Sequence, residues 1–228
     1  LEKLQAIINK VETEDEKTLW TRLYNSCAQG RRTGLGTLGL ANVFAKMRIP
    51  YGSPESIELA NKIFKSLKDS AYMSSVTLAK ERGAFPIWNP ELEKDNPFLN
   101  ALSPFVLTIM DKFGRRNISI LTNAPTGSTA IINQVNSGIE PFFRIAYTRR
   151  KKINHNDHDT VADFVDQSGD RWSEFPVYDH CYREYLEYCA RNNETPPTKI
   201  PYFFTTSDQI DWTARVAVQA AIQEHIDH

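Results

Sequence analysis

The sequence predicts an α/β fold rich in helix. Three observations carry that expectation. Apolar residues recur at steps of three and four over long stretches, most clearly between Ser53 and Glu81. A β-prone run (Ile118, Ile120, Leu121) breaks at Ala124-Pro125-Thr126-Gly127-Ser128 and leads into Thr129-Ala130-Ile131-Ile132, which can start a helix. Trp172 to Tyr178 alternates in the manner of a strand.

The elements follow in order. Leu1, Leu4, Ile7, Ile8 and Val11 share helical spacing. A second helix is expected from about Glu16 to Gln29, with Leu19, Leu23 and Cys27 on a buried stripe and Gly30 at the left-handed cap. Thr37 to Met47 is small and apolar, hence a buried helix, and Gly36 and Gly39 permit close packing. Ser53-Pro54-Glu55 is a helix start: N-cap, proline in the first turn, then an acid. Ile57, Ala60, Phe64, Leu67, Ala71, Ser74 and Leu78 mark its inner face, and Gly83 stops it. At 1.5 Å per residue this helix is about 40 Å long. Phe85 to Asp95 reads as loop. Phe98 to Phe113 reads as helix, interrupted or begun near Ser103-Pro104. A strand is expected over Phe143 to Thr148, a loop or weak helix over Asn154 to Asp170, and a helix over Asp179 to Asn192. Ser207-Asp208 should cap a last helix carrying Trp212, Val216, Ala220 and Ile222 on one side.

The 228 residues, 41% hydrophobic and 24% charged, suffice for a sizeable core. A formal net charge of −1 gives no general attraction to nucleic acid or membranes. Cys27, Cys181 and Cys189 are odd in number, with no CxxC, which favours a reducing, cytoplasmic setting. No apolar run approaches the ~20 residues of a membrane helix. The chain opens at Leu1 inside one helical pattern and ends at His228 just after another, so both ends read as cut from something longer.

The sharpest chemical signal is the turn after Leu121. A strand that ends in a small, hydroxyl-rich loop before a helix offers unpaired backbone N–H groups to an anion. Pro125 stiffens the entry, Gly127 admits a ligand to the backbone, and Thr126, Ser128 and Thr129 add hydroxyl donors. Such turns also occur for purely structural reasons, and the Walker pattern is absent. Arg31-Arg32-Thr33-Gly34-Leu35-Gly36-Thr37-Leu38-Gly39 reads as a packing motif more readily than a phosphate contact. Glu140, at the end of Asn136-Ser137-Gly138-Ile139-Glu140-Pro141, is placed to pair with an arginine or cap a backbone. His155, Asp157, His158 and Asp159 read as a solvated loop rather than a metal site. Arg149 to Lys152 reads as a solvated charge run. Cys181 and Cys189 share a helix face and read as core; Cys27 reads as buried. No nucleophile–base arrangement is apparent, so no catalytic residue and no metal ligand is assigned.

Five motifs occur in a fixed order: Gly30-Arg31-Arg32-Thr33-Gly34-Leu35-Gly36, Arg116-Asn117, Leu121-Thr122-Asn123-Ala124-Pro125-Thr126-Gly127-Ser128, Ser137-Gly138-Ile139-Glu140-Pro141 and Tyr147-Thr148-Arg149-Arg150. Together they resemble the catalytic barrel of ribonucleotide reductases, in flavour nearest the adenosylcobalamin-dependent class II enzymes. Class I, with a separate radical-generating subunit, stays open. The resemblance spans essentially the whole chain. It implies a ten-stranded α/β barrel and the replacement of the ribose 2′-hydroxyl by hydrogen through radical chemistry. It implies substrate-phosphate binding at Ala124, Pro125, Thr126, Gly127, Ser128 and Thr129, with Asn123, Gly138, Ile139, Glu140 and Pro141 shaping the pocket. The radical-cysteine loop of the family, Asn-x-Cys-x-Glu in kind, is absent from these residues, as are its reducing cysteines. Residues 1–228 therefore read as one segment of the barrel, incomplete at both ends, with 154–170 as a loop insertion and no turnover of its own. Adenosylcobalamin would belong to the full enzyme. The expected partners are a ribonucleotide and either the remainder of the barrel or a second copy. The alternative is a non-catalytic nucleotide- or phosphate-binding module, or an assembly subunit of a split enzyme.

Overall fold

A computed structural model describes residues 1–156 and 159–227. Asp157, His158 and His228 lie outside the described residues, and with them half of the His155–Asp159 group. The chain divides into two compact units. The first holds Leu1–Thr37, Pro54–Pro125 and Thr213–His228; the second holds Leu38–Ser53 and Thr126–Trp212.

In the first unit, α1 (Glu2–Ile8) packs on α2 (Glu14–Gly30), and α4 (Pro54–Arg82) packs on α7 (Pro104–Phe113). Thr13 caps α2 by accepting from Glu16 N. The predicted buried stripe of α2 is corrected: Leu19 is 55% exposed, Leu23 41%, and Cys27 is exposed. Among the described helices and strands only α1 lies against α2 to a substantial extent, and that face stays open. The left-handed cap falls on Arg31 (φ 51°), not on Gly30. Gly30 is needed for space, because an added Cβ would meet Ile118 Cγ2 at 3.1 Å.

The long helix α4 begins at Pro54 as expected. Its buried face is Ser56, Ala60, Phe64, Lys68, Ala71, Tyr72, Ser75, Val76 and Ala79, so the expected Ser74 and Leu78 lie outside it. Lys68 is 1% exposed, donates to Phe98 O at 2.8 Å and sits 3.7 Å from the centre of the Phe98 ring. Burial pulls its ammonium below the usual lysine value. The expected loop over Phe85–Asp95 contains a one-turn helix, α5 (Pro90–Glu93), and a second, α6 (Pro97–Asn100), precedes α7. Each starts with Asn before Pro, the Asn side chain accepting from the first turn.

The run Ile118–Leu121 forms no full strand; among the described residues it makes one parallel bridge, Leu35↔Leu121. Ile118 N donates to Gly30 O, Leu35 N to Ile120 O and Thr122 N to Leu35 O. The fit is tight, since a Cβ on Gly36 would lie 2.5 Å from Thr122 O. The N–H groups of Ile120 and Leu121 are taken by the carboxylate of Asp227 at 2.9 and 2.8 Å, and Tyr72 OH donates to the same carboxylate at 2.5 Å. Arg116-Asn117, one of the ordered motifs, has a structural role. Arg116 donates to Arg82 O and Gly83 O at the end of α4, while Asn117 bridges Ser75 and Arg31 O. Arg115, 2% exposed, is paired with Glu93 and also donates to Asn117 O and Ile118 O. Helix α10 (Trp212–Gln223) starts after the expected Ser207-Asp208 cap, which instead belongs to a turn where Thr206 bonds Asp208 and Gln209. Its buried residues are Val218 and Ile222, whereas Trp212 and Val216 are 73% and 57% exposed.

In the second unit, α3 (Leu40–Lys46) is buried as predicted and packs on α9 (His180–Arg191), which Asp179 caps. Helix α8 (Gly127–Asn133) is short. Strand β1 (Ala146–Lys152) lies later than the expected Phe143–Thr148 and absorbs the basic run. It pairs antiparallel with β3 (Arg171–Tyr178), from Ala146↔Tyr178 to Lys152↔Trp172. Acids on or beside β3 explain the shift: Arg150 bonds Glu174 at 2.7 Å and Lys152 bonds Asp170 at 2.5 Å. Phe142 leaves the strand to bridge Thr206, and Phe143 is 79% exposed. Strand β2 (Phe164–Val165), inside the segment 154–170, adds to the other edge of β3, and its Phe164 stacks on Trp172. Cys181 and Cys189 are buried, as the helix-face reading expects.

Two outcomes test this packing. Asp227→Ala strips three donors of their acceptor and should cost about 3 kcal/mol in urea denaturation; Asp227→Asn, which keeps an acceptor oxygen, should cost less. Maleimide at pH 7.5 should label one thiol of the folded chain rapidly, Cys27. Burial pushes the Cys181 thiol up to about 11, keeping it protonated and slow. Mass spectrometry showing Cys181 or Cys189 labelled first would contradict the packing.

Candidate functional site

The loop after Leu121 crosses the boundary between the units, and each side is held by its own neighbours. In the first unit, Asn123 ends the extended run. Both polar atoms of its amide are buried without a partner among the described residues, while Ala124 and Pro125 are exposed.

In the second unit, Thr126 and the turn at Ser137-Gly138 clasp each other. Thr126 N donates to Ser137 Oγ at 3.0 Å, and Gly138 N donates to Thr126 Oγ1 at 2.9 Å. The threonine hydroxyl is thus turned away from its own helix, and α8 has no side-chain cap. The first bond of α8 is Ala130 N to Thr126 O at 2.7 Å. The N–H groups of Gly127, Ser128 and Thr129 have no acceptor among the described residues, and all three residues are exposed. An added Cβ on Gly127 would meet nothing within 4 Å, and its backbone is not left-handed. This glycine serves neither packing nor a strained turn, so a bulkier residue there adds no backbone strain. What it leaves is open space beside three free donors.

The turn that clasps Thr126 is fixed to α3. Gly39 N donates to Asn136 O at 2.8 Å, Asn136 N donates to Asn42 Oδ1 at 2.8 Å, and Tyr51 OH donates to Ile139 O at 2.6 Å. Gly138 takes a left-handed φ of 51°, and Pro141 is buried. Glu140 is exposed and, among the described residues, forms neither the arginine pair nor the cap expected of it. Of the pocket-shaping residues, Gly138 touches Thr126 directly, and Ile139 is held through Tyr51.

Gly34 and Gly36 are packing residues, each with a Cβ position blocked by Thr122. Among the described residues no trio of His, Cys, Asp or Glu is placed to hold a metal ion. Nor is any described helix long and apolar enough to cross a membrane. Cys27 lies within Asn25-Ser26-Cys27-Ala28-Gln29, which has Gln where a radical-cysteine loop carries Glu, and it sits within helix α2 rather than on a loop. The clasp and the Asn42 and Tyr51 anchors escape sequence reading because their partners lie far apart in the chain; the recurrence of Ser-Gly after Pro-Thr-Gly-Ser is the one hint.

A family model described as the ribonucleotide reductase barrel domain matches residues 4–228. The vitamin B12-dependent ribonucleoside-diphosphate reductase of Thermoplasma acidophilum is 30% identical over 199 residues, covering 86% of this chain and 23% of that protein. The enzyme of the same description from Mycobacterium tuberculosis (strain CDC 1551 / Oshkosh) is 38% identical over 119 residues, covering 52% of this chain and 15% of that protein. This chain thus spans under a quarter of the length of these two relatives. Among solved structures, the Actinobacillus ureae class Id ribonucleotide reductase alpha subunit superposes with a TM-score of 0.58 at 19% identity, over 98% of this chain and 36% of that one. That likeness extends the agreement to the fold, a helix-rich part of the α/β barrel expected from the motifs. The chain belongs to the ribonucleotide reductase barrel-domain family.

Proposed function

We propose that the chain is part of a ribonucleotide reductase, an enzyme that reduces ribonucleotides to deoxyribonucleotides for DNA synthesis, and that it contributes the seat for the substrate's phosphates. The observation that carries this reading is the set of three free N–H groups at Gly127, Ser128 and Thr129, beside the open face of Gly127. Backbone donors aimed at solvent bind a phosphate oxygen without the reorganisation a flexible side chain requires. The hydroxyls of Ser128 and Thr129 add donors, and Thr126 holds the loop still through its clasp. Ala124 and Pro125 precede the seat along the chain.

The seat orients the substrate; the hydrogen-atom chemistry belongs elsewhere in the enzyme, because these residues include no Asn-x-Cys-x-Glu loop. The relatives' names support adenosylcobalamin as the cofactor of the whole enzyme. Three free cysteines suit a reducing, cytoplasmic compartment. Ile131, Ile132 and Phe143 of the second unit are 78–80% exposed, which supports burial against the remainder of the barrel or a second copy.

In the reductase that contains this segment, Gly127→Val should weaken ribonucleoside diphosphate binding at least tenfold while leaving the melting temperature nearly unchanged. Unchanged affinity would refute the seat. Ser137→Ala, which releases Thr126 N, should weaken binding by a smaller factor. The chain on its own, supplied with adenosylcobalamin, a dithiol and a ribonucleotide, should form no deoxyribonucleotide; product would overturn the assignment of the radical chemistry to other residues. Light scattering of the chain alone should show a mass that rises with concentration, whereas a stable monomer would argue against an uncovered barrel face.

A further inference from the structure

The second unit contains a cavity remote in sequence from the phosphate loop. Helix α9 lines one side of it with Cys181, Glu184, Tyr185, Tyr188 and Arg191, at helical spacing. Helix α3 and its exit supply Ala45, Lys46 and Arg48, and Phe203 and Phe204 close it. Its volume is about 400 Å³, in the range of small-molecule sites.

The wall is aromatic. Tyr185 meets Phe203 edge-on at 5.6 Å and Phe204 at 5.7 Å, and the two phenylalanines lie 5.1 Å apart. The rim is cationic. Glu184 is already satisfied by Lys46 at 2.9 Å, with His180 at 3.6 Å. Arg48 and Arg191 have no carboxylate within 4.0 Å among the described residues, and Arg191 Nε reaches only the backbone oxygen of Glu187, at 3.3 Å. Arg48 occupies the left-handed position just beyond α3, at φ 59°. Glycine fills such a position at lower cost, and arginine there puts a second guanidinium on the rim.

We propose that this cavity binds a planar aromatic anion, its ring against Tyr185, Tyr188 and Phe203 and its phosphate or carboxylate on Arg48 and Arg191. Aromatic faces accept any flat ring, and the planar guanidinium forks match either anion in bidentate fashion. The ligand is thus a nucleotide or an aromatic carboxylate. The proposal is independent of the phosphate loop.

Calorimetric titration of the chain tests it, with ADP and indole-3-acetate as the two sources of this chemistry, and adenosine and inorganic phosphate as the separated halves. At least one joined ligand should bind saturably, and tenfold or more tighter than either half. Arg48→Gln with Arg191→Gln should weaken it at least tenfold; both side chains are exposed, and an unchanged melting temperature checks the fold. Gly127→Val should leave this binding intact, separating it from the loop. Saturable binding of neither joined ligand overturns the proposal. So does binding that survives the double substitution, or binding lost only with Gly127→Val.

Discussion

A single carboxylate does for the first unit what a neighbouring strand would do in a sheet. The extended run 118–122 has Leu35 and its neighbours along one edge, but its buried N–H groups at Ile120 and Leu121 need acceptors as well. Burying a backbone donor unpaired is costly, and Asp227 meets both, while Tyr72 OH anchors the same group from α4. The position of the run, and with it the point where the chain enters the phosphate loop, rests on that arrangement. Around it other polar groups are matched in the same piecemeal way: Ser75 and Asn117 to each other, Arg115 to Glu93, Arg116 to the exposed carbonyls closing α4.

The second unit solves a similar problem with glycine, serine and threonine. The turn at 136–139 is fastened to Gly39, Asn42 and Tyr51, and it then holds Thr126 by two short bonds. Rigidity reaches the loop through a chain of hydrogen bonds rather than through a large core. That leaves the donors at 127–129 free for an outside partner, because the threonine that could have capped them is engaged elsewhere. In the same unit α3 also lines, with Ala45 and Lys46, the aromatic cavity where α9 and Phe203-Phe204 meet. Two kinds of surface are therefore built on one short helix.

Features whose determinants are local were readable in the sequence. Helix α4 follows from Ser53-Pro54-Glu55 and its periodicity, α9 from Asp179 and its amphipathic spacing, and β3 from alternation. The loop itself was visible as a composition. The buried face of α4 was misjudged at its far end, where Tyr72, Ser75, Val76 and Ala79 are buried in place of Ser74 and Leu78, and at mid-helix, where a lysine at position 68 reads as solvent-facing until a phenylalanine ring and a carbonyl are found above it. The exposure of Leu19, Leu23 and Cys27 was equally invisible, since apolar spacing signals a face but not whether anything covers it. Strand β1 was displaced for want of its acidic partners, which lie 18 and 24 residues further on. The Asp227 contacts could not be anticipated at all, spanning more than a hundred positions.

That span bears on how the chain folds as it is made. The central run pairs with residues 86 positions earlier and with a carboxylate 107 positions later. Its first edge can form as soon as the run leaves the ribosome, but its remaining N–H groups stay solvated until residue 227 emerges. Contacts of such separation pay their loop-closure entropy before they return any stability. The step that locks this region therefore waits on residue 227, and until then the chain carries a half-paired run that a chaperone or a neighbouring nascent chain can engage.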